Sequence, residues 1–167
     1  MRFIAFLCLL FFTLFARADD EQDWSRQSLK GLKRVAVSVE RASDEDYGFL
    51  SDYDLRTAVE TKLRIAKILI SDEPRNVLKE DGAFLCVQLT VVRPEEETLA
   101  VYAFHLKLQV QQPVKLMRNP AIILPLSVTW STEVTGLLGK RTMRTVRNQL
   151  DDLTDRFINA YLSENPR

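Results

Sequence analysis

Between residues 83 and 130, apolar and polar side chains alternate in three successive stretches. In the middle stretch Tyr102, Phe104, Leu106, Leu108 and Val110 fall on one side, and Ala103, His105, Lys107, Gln109 and Gln111 on the other. A period of two over such a length predicts a half-buried antiparallel strand, here about 99–112. Residues 83–93 carry Leu85, Val87, Leu89 and Val91 in the same phase and predict the strand before it, with Pro94-Glu95-Glu96-Glu97 as the turn. Residues 113–120 are expected to connect to a third strand, 121–132, in which Ile122, Leu124, Leu126, Val128 and Trp130 share a face. Pro125 has no N–H to give a ladder, so this strand belongs at a sheet edge or carries a bulge there.

The flanks complete the pattern. Residues 32–40 alternate Val35, Val37 and Val39 with Arg34, Ala36 and Ser38, which predicts a strand of β-branched residues. Leu55, Val59, Leu63 and Ala66 then recur at helical spacing, behind Ser51 or Asp52, either of which can cap a helix. Residues 68–70 form a short apolar stub, expected as a brief edge strand. Gly136 and Gly139 read as the loop to a last helix, about 140–163, whose stripe is Val146, Leu150, Leu153, Phe157 and Tyr161, widened by Ile158 and Leu162. The order β-α-β-β-β-β-α predicts an α+β fold in two layers. One mainly antiparallel sheet of four to five strands carries two helices packed on one face.

The N-terminus has a different pattern. Met1-Arg2 is basic, residues 3–15 are apolar except for Thr13, and Ala16-Arg17-Ala18 places small residues where a signal peptidase reads them. Residues 1–18 are therefore expected to be a cleaved signal peptide, too short in its apolar run for a good membrane span. Residues 19–30 read as a flexible lead-in with Trp24 as the large apolar residue, and 31–167 as a single α+β domain. Cleavage removes Cys8 and leaves Cys86, so the exported domain holds together by its core without an internal disulfide.

With 46% hydrophobic and 28% charged residues, the composition is that of a globular domain and excludes a disordered chain. Lys plus Arg and Asp plus Glu each number 23, and the signal segment takes away Arg2 and Arg17 but no acid, leaving the mature chain slightly acidic. That balance excludes the basic footprint of a nucleic-acid binder and strong attraction to anionic lipid.

No motif rises to a catalytic, cofactor or metal site. His105 is the single histidine, so it has neither the second positioned group of acid–base catalysis nor the further ligands of a metal centre. Asp44, Glu45 and Asp46 lack the spaced ligands and turn glycine of a calcium loop. Gly136-Leu137-Leu138-Gly139-Lys140 lacks the glycine spacing of a phosphate loop. Cys86, with no basic neighbour or Cys-X-X-Cys, reads as a small packing residue, partly exposed on the outer face. That face is polar and uncharged on balance. Its candidate partner-contact residues are His105, Lys107, Gln109, Gln88, Thr90 and Thr129.

The stretches Leu32-Lys33-Arg34-Val35-Ala36-Val37, Leu63-Arg64, Val128-Thr129-Trp130-Ser131 and 153–162, closing on Asn165-Pro166, resemble a family of small uncharacterised secreted proteins of proteobacteria. The element order is similar to that of small envelope α/β domains such as the N-terminal domain of TolB and the curli secretion lipoprotein. The resemblance implies work by contact with other envelope components. The expected protein is thus a periplasmic, or else extracellular, interaction module without a cofactor, not an enzyme, whose partner is another envelope protein. A small-ligand carrier or sensor with a pocket between sheet and helices is the second reading, and a hydrolase-like enzyme the third. The exported chain is predicted to begin at Asp19, which intact-mass measurement of the secreted protein checks.

Overall fold

Strands β3 and β4 form where the alternation is cleanest. The computed structural model describes residues 20–41, 51–74, 76–79, 81–92, 101–139 and 143–166. The turn at 94–97, the acidic loop around Asp44, Glu45 and Asp46, and segment 1–18 lie outside the described residues. The elements run α1 (Asp20–Gln27), β1 (Arg34–Arg41), α2 (Asp52–Ile65), β2 (Leu69–Ile70), a 3-10 turn (Val77–Lys79), β3 (Gly82–Val92), β4 (Val101–Leu116), β5 (Asn119–Gly139) and α3 (Met143–Glu164). The strand order is β2-β1-β3-β4-β5. β1 is parallel to both β2 and β3, whereas β3, β4 and β5 form an antiparallel meander. The sheet is therefore mixed, and the two-layer α+β architecture follows the expected order.

One sheet face carries the core. Val35 and Val37, then Leu85, Val87, Leu89 and Val91, then Phe104, Leu106, Leu108 and Val110 are buried on it. Leu55, Val59 and Leu63 of α2 and Val146, Leu150, Leu153 and Phe157 of α3 pack into the same cluster. Each such side chain is stabilised by about 1.5–3 kcal/mol on leaving water. Helix α2 begins at a capping box: Ser51 Oγ accepts from the Asp54 N–H at 3.1 Å, and the Ser51 N–H donates to Asp54 Oδ2 at 3.1 Å. Lys62 joins the helices, its Nζ 2.7 Å from Asp155 Oδ2 and donating to the Asp151 carbonyl at 2.9 Å.

The third strand of the meander differs from expectation in three ways. First, β4 does not stop at residue 112. It runs to Leu116, and β5 starts at Asn119, so residues 113–120 are strand and tight turn, not a connection. Second, Val110 pairs with Trp130 but Gln111 pairs with Val128, so Thr129 is an extra residue. This bulge takes Val128 off the face of Trp130: Trp130 is buried and Val128 is 50% exposed, and Ile122, Leu124 and Leu126 farther along the strand are 42–51% exposed. A second register shift falls opposite Pro125, between the Gln112–Ser127 and Val114–Leu124 pairs, on the strand that forms the sheet edge. Third, Gly136 and Gly139 lie in β5, not in a loop. Val134 and Leu138 continue the inward phase set by Trp130.

The segment read as a flexible lead-in contains α1, and its exit is pinned. Leu29 is fully buried, the Gly31 N–H donates to Asn165 Oδ1 at 2.8 Å, and Asn165 Nδ2 donates to the Leu29 carbonyl at 2.9 Å. Tyr161 adds a hydrogen bond from its hydroxyl to the Leu32 carbonyl at 2.8 Å. Leu29 is the residue that docks this segment, and Trp24 stays 77% exposed.

Gly136 is in β5 for a steric reason. It pairs with Phe104, and a Cβ there would meet Phe104 Cε1 at 2.5 Å. Gly136→Ala is predicted to cost about 1–3 kcal/mol by overpacking. Combined with Phe104→Leu it should cost less than the sum of the two single changes, which urea denaturation of the four proteins measures.

Candidate functional site

The outer sheet face is built from residues out of phase with the core. Cross-strand pairing sets Gln88 opposite Lys107 and Thr90 opposite His105, and carries the row on to Glu133 and Thr135 of β5. Gln88 Nε2 donates to Glu40 Oε2 at 2.6 Å. His105 Nδ1 lies 3.1 Å from Thr135 Oγ1, and its Nε2 lies 3.7 Å from Glu133 Oε2. His105, Lys107, Gln88 and Thr90 are thus brought into one half-exposed patch. Gln109 and Thr129 lie elsewhere. Gln109 is buried beside Cys86. Thr129 sits in the bulge, tied to the end of α1: its hydroxyl accepts from Gln112 Nε2 at 2.9 Å, and its carbonyl accepts from Ser28 Oγ at 3.2 Å.

The face is also not uniformly open. The Val77–Lys79 turn covers its start: Val77 is fully buried, and a Cβ on Gly82 would meet Val77 Cγ2 and its carbonyl oxygen at 2.6 Å. Cys86 lies in the same layer, between Ser38 and Gln109, and is fully buried rather than partly exposed. Burial pushes its thiol up to about 11, because the thiolate would lose its water. Among the described residues, no three His, Cys, Asp or Glu side chains converge as a metal-ligand set.

Two further features emerge from the tertiary structure. The first is the far end of the β4–β5 hairpin. β3 begins at Gly82 and its first registered partner on β4 is Gln111, paired with Phe84, so the hairpin continues beyond it as a two-stranded ribbon with Met117 and Arg118 at its tip. Met117, Ile122, Ile123, Leu124, Leu126 and Val128 are all exposed on it. Ile123 pairs with Lys115 and Leu124 with Val114, so neighbouring apolar residues point to opposite faces of the ribbon. β5 also has a ladder neighbour on one side only among the described residues.

The second feature is a cleft of about 370 Å³ between α1, β5 and α3, lined by Ser25, Arg26, Trp130, Ser131, Thr132, Arg156, Asn159, Ala160 and Ser163. The sequence gives no sign of it, since its walls come from three separate segments. In the sequence Arg26 falls in the segment read as a flexible lead-in, and Arg156 on the polar side of the last helix. The ribbon was legible as apolar periodicity, but that periodicity pointed to the core.

No family model matches the chain, and no curated protein matches it. Among solved structures, a PelC dodecamer from Paraburkholderia phytofirmans is similar at 13% identity, over 79% of this chain and 89% of that one, with a TM-score of 0.44. Rare lipoprotein B from Shewanella oneidensis is similar at 13% identity, over 78% of this chain and 96% of that one, with a TM-score of 0.36. Both are loose likenesses.

The raised Cys86 thiol has a consequence for stability. A group that binds its proton more tightly in the folded state contributes fully below the unfolded value, near 9, and the contribution is lost as pH rises toward about 11. Wild type should therefore lose about 2–3 kcal/mol more than Cys86→Ala between those limits. Urea unfolding of both proteins at pH 8 and at pH 11 reads the difference.

Proposed function

We propose that the protein is an exported periplasmic interaction module that works by binding another envelope protein rather than by catalysis. The observation that carries this reading is the apolar ribbon at the exposed end of β5. Apolar side chains that pack in no core, clustered on one projecting element, mark a contact surface more often than a solvated one. β5 adds a second means of contact, a strand edge whose N–H and C=O groups have no ladder partner on one side among the described residues. Pro125 interrupts that edge, so strand addition belongs to the stretch after it, with the ribbon's apolar side chains supplying contact before it.

The occupant is an extended segment of a partner protein with apolar side chains at alternate positions. It pairs along β5 and covers Leu126 and Val128. The outer-face patch of His105, Lys107, Gln88 and Thr90 is the competing surface. It is already engaged in part with Glu40, Glu133 and Thr135.

In-cell crosslinking followed by affinity capture separates the two surfaces. Leu126→Lys/Val128→Lys should reduce recovery of the same crosslinked partner about ten-fold or more, the scale of losing an interface hot spot. His105→Ala/Lys107→Ala should leave recovery near wild type. Undiminished recovery with the ribbon variant, or no specific partner with wild type, overturns the reading.

A further inference from the structure

We infer that the cleft between α1, β5 and α3 binds a small organic oxyanion, a carboxylate or phosphate carried on a hydroxylated body. The inference does not rest on the docking role of the ribbon, which uses other residues. Among the described residues, the cleft lining includes two arginines, Arg26 and Arg156, and no acidic residue. Arg156 Nη1 lies 3.5 Å from Thr132 Oγ1, which holds the guanidinium toward the β5 wall. A guanidinium fork matches a carboxylate or phosphate with two parallel hydrogen bonds, which a point charge cannot do.

The helix ends nearby would by themselves disfavour an anion, since both α1 and α3 bring their C-terminal halves to the cleft. Several carbonyls at these ends are already engaged. Ser28 Oγ donates to the Ser25 carbonyl at 2.6 Å, and the Leu29 N–H donates to that of Arg26 at 2.8 Å. On α3, Ser163 Oγ donates to the Ala160 carbonyl at 2.8 Å, and Asn165 Nδ2 donates to that of Tyr161 at 3.0 Å. Arg26 and Arg156 supply the positive charge of the described lining. The remaining walls match the rest of such a ligand: Ser131, Thr132 and Asn159 offer hydroxyl and amide groups, and Trp130 offers an aromatic surface. The volume lies at the lower end of the range for small-molecule sites.

Trp130 is also the reporter. The chain has two tryptophans, and Trp24→Phe leaves Trp130 alone. In that background, titration with glucuronate and with glucose 6-phosphate at constant ionic strength should give a saturable change in emission. Glucose should give none. Arg156→Gln and Arg26→Gln should each weaken binding about ten-fold or more, and Arg156→Lys, which keeps the charge and loses the fork, by less. Arg144→Gln, an exposed change outside the cleft, should leave binding unchanged, and circular dichroism checks that each variant is folded. No saturable change with either anion, an equal response to glucose, or wild-type affinity in the folded arginine variants overturns the inference.

Discussion

The edge contact between Trp130 and Phe157 is the constraint on which the rest of the structure turns. Their rings meet at 5.4 Å between centroids and 65° between planes, and Phe157 in turn lies 6.1 Å from Tyr161. This places the last long strand under the last helix. Trp130 points inward opposite Val110, and Thr129 just before it is an extra residue, so Val128 pairs with Gln111 on the other face. A second shift near Pro125 returns Leu124 to the phase of Trp130, opposite Val114, yet Leu124 is still 42% exposed. Val128 is exposed because of this phase change, and the apolar residues before it because the ribbon runs beyond the last registered pair of β3 with β4.

The same region fixes the N-terminal segment. Gln112 reaches both Thr129 and the Ser28 carbonyl, so the bulge, the end of α1 and the root of the ribbon share one set of hydrogen bonds. Asn165, just past α3, closes the other side by bonding Gly31 and Leu29. Burial of Leu29 supplies an apolar stabilisation of about 1.5–3 kcal/mol to a helix of eight residues, too short to persist by itself. The cleft exists because α1 is held there.

What the sequence made legible was whatever obeys one uninterrupted period. The phases of β1, β3 and β4, the stripes of α2 and α3, and the short edge strand at Leu69–Ile70 were all readable, because nothing breaks their ladder or turn count. β5 was misread for a physical reason. A bulge is invisible to alternation when the residues on both sides of it are apolar, and Val128 and Trp130 keep the period while changing face. Gly136 misled for the opposite reason: its missing side chain accommodates the Phe104 ring in a strand, yet in sequence a glycine there looks like a turn. The outer-face patch was placed by alternation as far as Gln88, Thr90, His105 and Lys107. Burial of Gln109 and Cys86 depends on the neighbouring strands and on long side chains across them, which a single strand's pattern does not encode.

The two surfaces that remain differ in how they depend on the fold. The ribbon projects from the sheet and would keep its shape if α1 came away, since its ladder lies wholly within β4 and β5. The cleft would not, because one arginine and one wall leave with α1. A ligand held by both Arg26 and Arg156 therefore binds only the docked state and stabilises it by mass action. Docking of α1 also engages Thr129 through Ser28, at the point where the ribbon leaves the sheet. Occupancy of the cleft and the stiffness of the ribbon's root are consequently properties of the same small set of contacts.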